Sequence, residues 1–152
     1  ETGVHAEKNG RVFANYRASF GNTNNGIYAT YEGIVQAEGA SSYDNGWDGF
    51  RADNSAFIYA DFSGAQNNGL RGYLSDNQSY IQANNSSSAT SVYEGYYAHQ
   101  ASAIIAKNSN ATGFSISGFR AYYQSFFERS GNNVTSASPA IGSSGNNYST
   151  MK

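Results

Sequence analysis

Six glycines, Gly3, Gly26, Gly49, Gly72, Gly95 and Gly118, follow one another at a constant spacing of 23 residues. A fixed interval of this kind marks a repeat architecture, in which one short supersecondary unit buries its apolar face only by stacking on copies of itself. With the glycine as position one, position two is large and apolar in every unit: Val4, Ile27, Phe50, Tyr73, Tyr96 and Phe119. Position four is Ala6, Ala29, Ala52, Ser75, Ala98 and Ala121, and position ten is Val12, Val35, Ile58, Ile81, Ile104 and Phe127. Position twelve is Ala14, Ala37, Ala60, Ala83 and Ala106 before it breaks to Arg129.

Positions two and four alternate with polar neighbours, as do eight, ten and twelve, which is the period of strands with one buried face. In one unit Gly49 to Ala52 and Ala56 to Ala60 are separated by Asp53-Asn54-Ser55, residue types that favour a turn. Positions thirteen to twenty-one are mostly Asn, Ser, Gly, Ala and Thr and predict a loop-like third side. One apolar anchor follows there at position twenty-two: Trp47, Leu70, Tyr93 and Ile116. The expected fold is all-β: a right-handed β-solenoid or β-helix of six coils over residues 3–129. Residues 130–152, rich in Ser, Asn and Gly and carrying Pro139, are expected as a C-terminal cap or linker. At about 4.8 Å per coil the rod is ~29 Å long. Two good apolar faces and a poor third predict a thin core, which three intertwined chains sharing an axis would close. A single chain winding alone satisfies the same columns. The repeat register is already running at Gly3, which suggests a segment of something longer.

Composition narrows the function. Charged residues are 13% of the chain, the net charge is -2 and no basic stripe exists, so nucleic acid is not the expected partner. No apolar run approaches the roughly 20 residues that span a bilayer. The lack of cysteine removes disulfides and thiolate sites, and with only His5 and His99 neither a metal site nor a cofactor is expected. No phosphate loop or supported nucleophile triad occurs, which makes enzymatic activity the lesser reading.

In a stacked coil, chemistry is read along columns. Position nine is Arg11, Ile34, Phe57, Tyr80, Ala103 and Phe126, and position three is His5, Tyr28, Arg51, Leu74, Tyr97 and Arg120. Position eleven is Phe13, Gln36, Tyr59, Gln82, Ile105 and Glu128. All three columns are expected to face outward. Rows of exposed rings with Arg and Gln suit a subunit interface or sugar stacking, so Tyr28, Arg51, Phe57, Tyr59, Tyr80, Gln82, Tyr97, Arg120 and Phe126 are the candidate ligand-binding or interface residues. Position five stacks Asp53, Asp76 and His99 at a bend. Its two carboxylates are the weak catalytic candidates, near the ~5 Å separation of a retaining glycosidase, although turn chemistry explains them more economically. Asp48, Arg71 and Glu94 at position twenty-three predict a solvent-exposed charge ladder. Asn22, Asn45 and Asn68 at position twenty predict an amide ladder inside the coil. Sequons at Asn77, Asn84, Asn85, Asn110, Asn133 and Asn147 carry no assigned role.

The unit Gly-aromatic-x-Ala, a polar turn, then Ile-x-Ala, seen at Gly49 to Ala60 and Gly72 to Ala83, resembles repeats of bacteriophage tail fibres and tailspikes. That resemblance, of repeat style, implies a virion-surface or extracellular fibre segment, trimeric, that presents or contributes to binding of host-surface glycan. The alternatives are a monomeric extracellular β-solenoid that binds polysaccharide or stacks end to end as a filament, and a polysaccharide depolymerase fragment using Asp53 and Asp76.

Overall fold

The computed structural model describes residues 1–128, 130–135, 141–143 and 150–151. The chain winds as a β-solenoid whose coils have three walls, each a parallel sheet. The first sheet holds Val4–Glu7, Ile27–Thr30, Phe50–Asp53, Tyr73–Ser75, Glu94–Ala98, Ser117–Ala121 and Ile141–Ser143. The second holds Arg11–Phe13, Ile34–Gln36, Phe57–Tyr59, Tyr80–Gln82, Ala103–Ile105, Phe126–Glu128 and Thr150–Met151. The third holds Ala18–Phe20, Ser41–Tyr43, Gly64–Gln66, Ser87–Ala89, Asn110–Thr112 and Asn133–Thr135. Each strand pairs with its equivalent one coil on, as Phe50 with Tyr73, Ile58 with Ile81 and Ala65 with Ser88.

The third wall corrects the expectation of a loop-like side. Its inward residues are Ser19, Ser42, Ala65, Ser88 and Ala111, all buried. They are small and partly polar, so an apolar period does not reveal them. The hydroxyls of Ser19 and Ser42 donate to the carbonyls of Gly26 and Gly49 at 2.7 Å each, which removes the cost of burying them. One chain therefore supplies all three walls of each coil, and the thin core inferred from two good faces is completed from within. Three strands from residues 130–152 extend the sheets. Ile141 lies opposite Phe119 and Thr150 opposite Phe126, no longer at the 23-residue offset. Arg129, where the alanine column breaks, lies outside the described residues.

The columns fill the interior. Phe50, Tyr73, Tyr96 and Phe119 form a continuous stack with ring centroids 4.6 to 4.8 Å apart and near-parallel planes. Offset stacking of this kind adds to the area that the rings bury. The Tyr73 and Tyr96 hydroxyls reach Ser63 and Ser86 at 2.8 Å. Val35, Ile58, Ile81, Ile104 and Phe127 line the second wall. The alanines of positions four and twelve are buried wherever they occur.

The invariant glycine is required by closeness. A Cβ on Gly26 would lie 1.9 Å from Ser42 Oγ and 2.6 Å from Asn45 Nδ2, and one on Gly95 would lie 2.6 Å from the Gly118 carbonyl oxygen. Beside it runs the expected amide ladder. Asn22 Nδ2 donates to Asn45 Oδ1 at 2.8 Å, and Asn45 Nδ2 to Asn68 Oδ1 at 2.9 Å.

The corner between the first and second sheets is a two-residue turn with both residues in the left-handed region, φ 48° to 62°. In successive coils the pairs are Lys8-Asn9, Tyr31-Glu32, Asn54-Ser55, Asn77-Gln78, Gln100-Ala101 and Tyr123-Gln124. Gly10 N donates to Glu7 O at 2.8 Å and Gly33 N to Thr30 O at 3.0 Å, the closure of a type I′ turn. Such turns favour Asn-Gly, yet no pair here contains glycine. A non-glycine residue held there costs on the order of 1 kcal/mol.

Candidate functional site

The nine candidate ligand residues fall on two different walls. Tyr28, Arg51, Tyr97 and Arg120 lie on the outer surface of the first sheet, where the position-three column packs against position twenty-three. The charge ladder expected there to be solvated has both carboxylates buried and Arg71 half-buried. Asp48 is 0% exposed and Glu94 2%, because side chains of adjacent coils, one strand spacing away, close over them. Arg71 Nε meets Glu94 Oε2 at 3.0 Å, and Arg120 Nη1 meets Glu94 Oε1 at 2.9 Å. The guanidinium carbons of Arg71 and Arg120 sit 5.0 and 5.2 Å from the Tyr97 ring centre, on which both make cation–π contact. Arg51 lies 5.7 Å from the Tyr28 ring centre and pairs with Asp53 at 3.0 Å. Tyr28 in turn stacks on His5. These four candidates are thus engaged with one another and with the carboxylates beneath them.

Asp48 is held differently. Its carboxyl oxygens are 3.5 Å from Arg71 Nη1 and 3.8 Å from Arg51 Nη1, ion-pair distances without a hydrogen bond. Burial pushes its pKa up to about 6 against the opposing pull of Arg71 and Arg51. Burial likewise raises the Tyr97 phenol to about 12, more than Arg120 lowers it.

The weak catalytic candidates have structural partners. Asp53 is buried, and its Oδ1 accepts from Asn77 Nδ2 at 2.7 Å. Asp76 Oδ1 accepts from Asn77 N at 2.9 Å and lies 2.9 Å from His99 Nδ1. His99 itself is stacked between Tyr97 and Tyr122. Among the described residues no group of three or more His, Cys, Asp or Glu side chains is placed to hold a metal ion.

The other five candidates, Phe57, Tyr59, Tyr80, Gln82 and Phe126, lie together on the outer surface of the second sheet. Phe57 and Tyr59 are 39% and 40% exposed, and Tyr80 is half-buried between them and the next coil, its ring centre 6.3 and 6.4 Å from theirs. Gln82 and Phe126 are also half-buried. Tyr59 forms one wall of a cleft of about 290 Å³ whose other sides are Asn15, Gln36, Glu38, Asp61 and Gln82. Asp61 is fixed in place: Oδ2 accepts from Gln82 Nε2 at 2.6 Å and Oδ1 from Asn84 N at 2.8 Å. Column reasoning at positions nine and eleven missed Glu38 and Asp61, which stand at position thirteen with Asn15. The signal was an unbroken run of polar acceptors there, Asn15, Glu38, Asp61 and Asn84. The first, third and fourth each accept a backbone N–H from the next coil.

The apolar anchors of position twenty-two point outward instead of inward. Trp47 is 45% exposed, Tyr93 and Ile116 are also exposed, and Leu70 is half-buried. Their backbones form a ladder along the corner, Leu70 N to Trp47 O at 2.9 Å and Tyr93 N to Leu70 O at 2.8 Å. The inward place goes to position twenty, occupied by Asn45, Asn68 and finally Phe114.

No protein-family model, curated protein or solved structure matches this chain.

Proposed function

We propose that this chain is a non-enzymatic, rod-like attachment segment of an extracellular or virion-surface fibre that contacts surface glycan through the outer face of its second sheet. The observation that carries this reading is the exposed Tyr59 ring forming the wall of a cleft otherwise made of amides and carboxylates. A pyranose has one apolar face and a rim of hydroxyls, so a ring beside fixed acceptors and donors matches both. Asp61, held by two hydrogen bonds, is preorganised and loses little freedom on binding. The test is a microarray of bacterial surface polysaccharides and neutral oligosaccharides probed with the wild type, Tyr59→Ala and Phe57→Ala. Binding weakened at least tenfold by either substitution supports the reading. Binding that ignores both substitutions, or none at all, removes it.

The outward row of Trp47, Tyr93 and Ile116, with half-buried Leu70 among them, supports side-by-side association of copies as part of the same reading, since adjoining exposed apolar side chains suit a contact. Light scattering behind a sizing column reports it: three times the monomer mass, reduced to the monomer by Trp47→Ser with Tyr93→Ser, is the expected result.

A further inference from the structure

A groove of about 1170 Å³ runs along the corner between the first and second sheets. It is lined by both members of all six left-handed turns and by nothing else. Glycine would adopt this backbone without strain, so side chains stand at every position where their absence would relax the fold. Most are amides, with Ser55, Ala101 and two tyrosines, and charge is confined to Lys8 and Glu32 near one end. Tyr31 and Tyr123 stand four coils apart, about 19 Å at the spacing of parallel strands. Between them the groove presents Asn54, Ser55, Asn77, Gln78, Gln100 and Ala101, all uncharged. Asn54 and Asn77 each give one amide hydrogen to the preceding coil, to Thr30 Oγ1 at 3.4 Å and Asp53 Oδ1 at 2.7 Å, which fixes their direction.

We infer that this groove binds a linear, uncharged polysaccharide laid parallel to the solenoid axis. The lining repeats once per coil, and a pyranose ring is about as long as the ~4.8 Å spacing between parallel strands. Successive sugars therefore meet the amides of Asn54, Asn77, Gln78 and Gln100 in turn, with a tyrosine ring near each end for stacking. An anionic polymer finds only Lys8 to pair with, and nucleic acid lacks the row of cations that it requires. The site is separate from the Tyr59 cleft and does not depend on it.

The test uses the geometry of the turns. Tyr31→Gly, Gln78→Gly and Gln100→Gly, combined in the full chain, remove the contacts while giving the backbone its preferred residue. Folding is then retained or improved, as read by the thermal midpoint. The probe is a length series of soluble β-1,4-linked hexose oligosaccharides followed by calorimetry. The expected result is affinity that rises with chain length until the groove is filled and falls at least tenfold in the triple-glycine variant. Wild-type chain that binds no member of the series, affinity independent of length, or binding untouched by the triple variant would each overturn the inference. Loss in Tyr59→Ala with retention in the triple variant would overturn it while upholding the cleft.

Discussion

Replacing Asp48 by Asn is expected to stabilise the protein at neutral pH, against the usual result of removing a charge from a salt bridge. The carboxylate is fully buried, its two guanidinium neighbours stand at 3.5 and 3.8 Å, and neither makes a hydrogen bond to it. Desolvation outweighs their attraction, and the pKa rises from 3.8 to about 6. The folded state therefore holds a proton that the unfolded chain has released between those values. This contribution to stability is fully present below the unfolded pKa and is lost as pH rises through the folded one. At about 1.4 kcal/mol per pKa unit the loss is about 3 kcal/mol. Asn imitates the protonated form. Arg51 and Arg71 keep Asp53 and Glu94 as partners, so neither is left as a lone buried charge. Urea unfolding midpoints, followed from about pH 4 to about pH 8, provide the assay. The wild type should lose stability across the acid range relative to Asp48→Asn, and above pH 7 the variant should be the more stable by up to about 3 kcal/mol. Parallel pH profiles, or a variant weaker by more than about 1 kcal/mol at neutral pH, would refute the argument and show that the ion pairs exceed the burial cost.

Three further outcomes follow from the interior. Gly26→Ala sets a methyl group 1.9 Å from Ser42 Oγ, and a loss of at least about 2 kcal/mol in the unfolding midpoint is expected. Asn45→Ala cuts the amide ladder on both sides and takes the acceptor from Asn22 N, while Asn68 Oδ1 keeps the residue-45 backbone N–H; chemical denaturation should show a loss of about 1 to 3 kcal/mol. Tyr73→Phe keeps the ring stack and removes one hydroxyl from Ser63, which still donates to the Ala60 carbonyl, so the same assay should register only about 1 kcal/mol.

Two of the three walls were legible because their inward residues are apolar and alternate. Phe50 and Ala52, then Ile58 and Ala60, announce strands without any structure. The third wall was not, because Ser19, Ser42 and Ser88 carry the inward positions and a count of apolar residues reads them as loop. The same limit misplaced position twenty-two, while the inward amide ladder of position twenty stands as expected. Asn45 and Asn68 go inside because each satisfies the next, and Trp47 goes outside because a bend, not an even alternation, separates it from Gly49. Of the candidate site, the exposed rings Phe57 and Tyr59 were visible as columns. The cleft was not, because it needs Glu38 and Asp61 at the neighbouring corner.

The sequence alone determines that this chain stacks: a glycine every 23 residues, with apolar residues at fixed offsets from it, has no other economical solution. It also determines which side chains stand above one another, since one offset holds from Gly3 to Gly118. Only the tertiary structure decides what a column experiences. The charges Asp48, Arg71 and Glu94 are equally spaced in sequence, but the burial of the two carboxylates comes from the arginines and tyrosines that neighbouring coils fold over them. The corner groove likewise exists only because six turns take the left-handed conformation in register. Periodicity fixes neighbours along the stack, whereas exposure depends on how walls meet at the corners, where backbone geometry and not residue class sets direction.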